Sequence, residues 1–180
     1  MLNSSMGGQT GSLTAEAFVS ELQSGGFGEL PMVQAGGVGD ADGLRAALEL
    51  GYAGAQLGTR FLATHEAKVT DAYKNAIVKA TSQDIVWTNK LAGTNSSVIR
   101  TPMVEEGGLR TGPITSWLLA NPYTKLLTRT YMLTNAIGQY KRAAFEDDYE
   151  LWQAGKGVDA IHSVQSCAEV LAPFAEVVTE

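Results

Sequence analysis

Two glycine turns, Ala35-Gly36-Gly37 and Leu57-Gly58-Thr59, are the residues of this 180-residue chain with the clearest chemical potential. Both lie in the stretch 30–62, LPMVQAGGVGDADGLRAALELGYAGAQLGTRFL, and each closes a short apolar run, 31–34 and 53–57. Glycine lets the main chain approach a ligand closely, and successive outward-turned N–H groups form a concavity for an anion. Two such turns on neighbouring strands can hold one phosphate from two sides. A competing reading, of equal weight on spacing alone, is that Gly36, Gly37 and Gly58 are ordinary turn residues.

The elements between the turns decide whether they can cooperate. Asp40 suits a helix N-cap, Leu44, Ala47 and Leu48 recur at helical spacing, and Gly51 stands where a left-handed C-terminal residue belongs. A strand, a crossover helix and a second strand joined this tightly form a parallel, right-handed unit, so both turns open on the carboxyl end of the sheet. In (β/α)8 barrels a phosphate sits at this place after the last two strands, where a short extra helix adds its positive end. The run 58–61, Gly-Thr-Arg-Phe, is the expected start of that helix, and Arg60 could either neutralise the phosphate or pack at the rim.

Elsewhere the spacing predicts helices over 14–22, from a Thr64 cap to about residue 80, over 114–119, 122–144 and 163–178, and short β-prone runs at 84–88 and 98–101. Residues 1–11 read as a loop. The basic residues Lys125, Arg129, Lys141 and Arg142 read as a solvated face, His65 and His162 as surface residues, and Cys167 as a small apolar residue between Val164 and Leu171. One cysteine and two distant histidines give no metal-ligand spacing, so no metal site is expected.

Composition is globular, with 44% hydrophobic and 18% charged residues. A net charge of −6 argues against a nucleic-acid partner, though not against a nucleotide whose phosphate is held by neutral backbone N–H groups. No apolar run approaches the roughly 18 residues that span a bilayer, and the N-terminus lacks signal-peptide character, so a cytoplasmic protein without membrane partners is expected.

The segment QAGGVGDADGLRAALELGYAGAQLGTRFLAT, residues 34–64, resembles the flavin-binding half of nitronate monooxygenases, formerly 2-nitropropane dioxygenases, and of the related flavin-type enoyl-acyl-carrier reductases. MGGQTG at 6–11 is similar to that family's AGGH-x-G segment, and AYKNAIVKAT, NKLAGTNSSVIRTP and WQAGK further on look like its C-terminal part. The resemblance covers nearly all of this chain and about half of a family member. It implies an α/β fold corresponding to the C-terminal part of a (β/α)8 TIM barrel, the last two βα units, with a mostly helical C-terminal extension. Residues 1–82 would be the partial barrel and 83–180 the extended and helical segment packing on it. A missing N-terminal barrel half, or a homo-oligomer, would have to cover the open sheet.

The resemblance also implies flavin mononucleotide (FMN) as cofactor, bound by Gly7 and Gly8 in the first segment, by Gly36 and Gly37 on the first turn, and by Gln56, Leu57, Gly58 and Thr59 at the second strand's end. The implied reaction is oxidation of an alkyl nitronate by molecular oxygen to a carbonyl compound and nitrite. Where the family's nitronate oxidisers place a catalytic histidine, this chain has Gln9. A glutamine amide hydrogen-bonds but does not titrate near neutral pH, which puts deprotonation of a neutral nitroalkane in doubt and leaves binding of a preformed nitronate open. The alternatives are a flavin-type enoyl reductase and a non-catalytic flavin-binding remnant.

Overall fold

The computed structural model of the chain describes residues 8–9 and 13–179. The described residues fold as a helix-rich α/β protein with two small sheets. The first expected strand–helix–strand unit is present. β2 (Val33–Ala35) and β3 (Gly54–Gln56) pair in parallel, Val33 with Gly54 and Ala35 with Gln56, and α2 (Ala41–Glu49) crosses between them. Asp40 Oδ1 accepts the Gly43 N–H at 2.8 Å, and Gly51 adopts φ +95° just past the helix, as the sequence predicts. α1 (Ala15–Leu22), capped by Thr14, precedes this unit. α3 (Thr59–Leu62), a single turn, follows it.

The next helix is shorter than the apolar spacing predicts. Thr64 caps nothing: its hydroxyl donates to the Phe61 carbonyl at 2.8 Å, and its backbone forms a bridge to Gln165. α4 (Asp71–Lys79) begins at Thr70, whose hydroxyl accepts the Tyr73 N–H. The bridge to Gln165 pins residues 63–65 against the C-terminal segment, and that tertiary pairing overrides the local helical pattern.

The two β-prone runs form a hairpin with a third strand, the second run lying two residues earlier than expected. β4 (Ile85–Thr88) and β5 (Ser96–Ile99) pair antiparallel, and β1 (Gly8–Gln9) adds to β5, with Gly8 opposite Ser97 and Gln9 opposite Ser96. Gly8 and Gln9 are therefore strand, not loop. A short helix the sequence reading missed, α5 (Pro102–Gly107), follows, with Thr101 as cap and Pro102 in its first turn. α6 (Pro113–Ala120) and α7 (Lys125–Phe145) run close to the expected ranges, and Gly138 does not interrupt α7. α8 (Cys167–Thr179) starts four residues after Ser163, where the Glu66 carboxylate accepts the Cys167 N–H at 2.9 Å. Cys167 is thus a half-buried helix-start residue, with Sγ 3.7 Å from Thr64 Oγ1, and Leu171 is half exposed.

Two apolar clusters hold these elements, and each draws on both sides of residue 82. One joins α4, the hairpin, α7 and residues 151–161 around Ile77, Val98 and Ile161. The other packs Val170, Phe174 and Val177 of α8 against Val19, Leu44, Ala47 and Tyr52. Between them the loop after β2 touches the 156–160 turn backbone to backbone. A methyl on Gly39 would sit 2.2 Å from the Gly157 oxygen and 2.9 Å from Ala160 Cβ. Gly39→Ala is therefore expected to lower unfolding stability by about 3 kcal/mol, the upper end of overpacking costs, measured as a shift in the denaturant midpoint.

Candidate functional site

The parallel register of β2 and β3 ends both strands at one level, so the turns that follow them face the same space. Gly36 and Gly37 have φ +91° and +84°, a left-handed pair that only glycine adopts without strain. The Gln34 side-chain N–H donates to the Gly36 carbonyl at 3.1 Å, which fixes the turn from beneath. Gly36, Gly37, Gln56, Gly58 and Thr59 all line one cavity of about 430 Å³. That volume lies within the range typical of small-molecule sites, roughly 300–1,000 Å³. Among the described residues, the amides of Gly37, Gly58 and Thr59 donate to no acceptor outside the strand ladder.

Three further segments close the cavity. α4 supplies Val69 and Tyr73 beside its start, α7 supplies Tyr140, Ala143 and Ala144, and the segment 151–157 supplies Leu151, Gln153, Gly155 and Gly157. Backbone bonds clamp these walls together. The Thr70 N–H donates to Ala144 O at 3.0 Å, and Ile99 N–H donates to Trp152 O at 2.8 Å, which holds residues 152–153 along β5. Thr59 Oγ1 accepts the Gly155 N–H at 3.0 Å and so ties the second turn to the far wall. A hydroxyl accepts and donates at once, so Thr59 keeps its own hydrogen for a ligand.

The two cavity phenols differ in availability. Tyr73 is buried and stacks on Trp152 with ring centroids 6.0 Å apart, and its hydroxyl donates to Gln153 O at 2.5 Å. Burial pushes its titration well above the ordinary value of 10.0 despite the opposing effect of that bond. Tyr140 is half-buried; burial raises its pKa as well, opposed by hydrogen bonding from Ser96 and Gln153. Both phenols are neutral donors at physiological pH.

The sequence candidates divide clearly. Gly36, Gly37, Gln56, Gly58 and Thr59 come together at the cavity. Leu57 turns the other way and packs against the α1–α2–α8 cluster. Gly7 lies outside the described residues, and Gly8 and Gln9 are placed by their backbone pairing with Ser97 and Ser96. Arg60, 6% exposed, donates to the Gln165 side chain, and desolvation lowers its pKa against the pull of Asp40. It does not line the cavity, so packing is the role it fills. Tyr73, Tyr140, Gln153, Gly155 and Gly157 are the lining residues that turn spacing missed; the Gly155-Lys156-Gly157 pair was the available signal. No group of three or more metal-capable side chains occurs among the described residues, and no helix there is long and apolar enough to cross a membrane.

Fold and site together define an α/β protein whose paired strand-end turns line one ligand-sized cavity. The sequence model of the nitronate monooxygenase family matches residues 4–176, and the chain belongs to that family. A Mycobacterium tuberculosis protein named (3aS,4S,5R,7aS)-5-hydroxy-7a-methyl-1-oxo-octahydro-1H-indene-4-carboxyl-CoA dehydrogenase is 37% identical over 101 residues, 56% of this chain and 28% of its own length. A probable nitronate monooxygenase of Bacillus subtilis is 28% identical over 79% of this chain and 38% of its own length. The solved structure of FabK from Thermotoga maritima superposes with a TM-score of 0.69 at 29% identity, over 97% of this chain and 53% of that one. The chain thus spans about half the length of that structure and less of the curated relatives it matches.

Proposed function

We propose that the cavity is the phosphate end of an FMN site, in a C-terminal TIM-barrel portion of a nitronate monooxygenase-like flavoenzyme. The observation that carries this reading is the convergence of the Gly36-Gly37 and Gly58-Thr59 turns on one cavity, with the amides of Gly37, Gly58 and Thr59 available to an anion. The fit is supported at Gly58, where an added Cβ would meet nothing within 4 Å. Backbone N–H groups and the Thr59 hydroxyl hold the phosphate by hydrogen bonds rather than by net positive charge, consistent with an acidic chain. FMN, when bound, supplies the two-electron redox chemistry, and the protein positions the substrate.

On this reading the substrate is an alkyl nitronate, converted with molecular oxygen to a carbonyl compound and nitrite. Gln9 stands where the resembled family carries a histidine, and a glutamine amide can hydrogen-bond a nitro group but cannot remove a proton. The likeness to FabK at 29% identity is compatible with the second reading, a flavin-type enoyl reductase, which nicotinamide oxidation with an enoyl thioester would reveal.

Two variants test this function. Gly58→Ala is expected to unfold within about 0.5 kcal/mol of the wild type while binding FMN at least tenfold more weakly, measured by flavin fluorescence titration; unchanged FMN affinity contradicts the site. Gln9→His is expected to raise turnover of neutral nitroalkanes by roughly 10² or more while leaving nitronate turnover near its original value, measured as oxygen uptake.

A further inference from the structure

A second cavity, of about 260 Å³, adjoins the first. Leu151 lines both, and Gln139 of the second immediately precedes Tyr140 of the first along α7. Its walls are mostly apolar: Leu91, Val104 and Leu151 are buried, and Met103 packs against the same cluster. The polar groups among them are engaged with one another. The Tyr149 hydroxyl donates to Gln139 Oε1 at 3.3 Å, and the Arg142 guanidinium covers the Tyr149 ring at 4.3 Å. Lys90 donates to the Gly107 carbonyl. At the end of α5, Gly107 and Gly108 contribute no side chain, and a Cβ on either would meet nothing within 4 Å. A dry apolar cavity of about 150 Å³ already takes up benzene, so this one is large enough for several methylenes.

We infer that this second cavity is an alkyl-tail site, and that the substrate of the neighbouring flavin site is a long-chain nitronate whose chain runs past Leu151 into the second cavity. The inference rests on the FMN reading for the head and on the second cavity alone for the tail. Its physical basis is apolar transfer. Each methylene moved from water into such a site strengthens binding by roughly fourfold at full burial, so six additional methylenes produce a large gradient even at partial burial. A carboxylate is a planar three-atom anion like a nitronate, so fatty carboxylates report tail binding without turnover.

The experiment measures equilibrium binding of butyrate and decanoate to the full chain by calorimetry, and KM for the nitronates of nitroethane and 1-nitrooctane on the flavin-loaded protein. The wild type is expected to prefer the longer ligand at least tenfold in both measurements. Gly107→Leu, which places a side chain at the open mouth without a backbone penalty, is expected to reduce that preference to threefold or less. Met103→Trp, one turn earlier on α5 and lining the same cavity, is a second plug should the first fail to fold. Equal binding of the two carboxylates by the wild type overturns the inference, as does an undiminished preference in both folded plugs. Decanoate preference without FMN binding refutes the flavin reading and keeps the tail cavity; FMN binding without chain-length preference does the reverse.

Discussion

The parallel pairing of β2 with β3 is the constraint on which the rest of the structure depends. Val33 opposite Gly54 and Ala35 opposite Gln56 bring two turns, more than twenty residues apart in sequence, to the same level on the same side. Antiparallel pairing would send them to opposite ends of the sheet. The crossover helix enforces the parallel arrangement, and its burial does the energetic work: Leu44 and Ala47 face Val170, Phe174 and Val177 of α8. Helix α8 is therefore part of what aligns the first glycine turn.

A single parallel pair cannot enclose a ligand, and the walls come from the C-terminal half. Residues 151–157 lie along β5 through the Ile99–Trp152 bond, and Thr59 fastens Gly155 to the second turn. The close approach of Gly39 and Gly157 brings the same segment against the first turn. This packing requires glycine at position 39, where the Gly157 backbone occupies the space a side chain would take, and is tight at Gly157, whose Cβ would lie 3.2 Å from the Val38 carbonyl. The cavity is consequently a joint product of segments whose sequence separation exceeds one hundred residues.

The βαβ unit was legible in the sequence because its signals are local: the Asp40 cap, the left-handed Gly51, and apolar runs closed by glycine. The hairpin and α7 were legible for the same reason. Thr64 misled because a good capping residue ahead of a periodic apolar stripe looks like a helix start, whereas the pairing with Gln165 claims that backbone. Arg60 could have been read either way; its contact with Gln165, a hundred residues distant, decides for packing. Tyr73 and Tyr140 lie within helices α4 and α7, and only the tertiary fold turns them toward the cavity. Leu57 illustrates the converse, since alternation along a strand sends the neighbour of a cavity residue to the core.

Comparing FMN with riboflavin is the sharpest test of the proposed grip of strand-end amides on a phosphoryl group. The two ligands share the ring system and differ in the phosphate alone. Calorimetric titration of the wild-type chain is expected to give FMN at least a hundredfold tighter binding than riboflavin, with inorganic phosphate weakening FMN and leaving riboflavin unaffected. Equal affinities for the two flavins, or no competition by phosphate, would contradict the account.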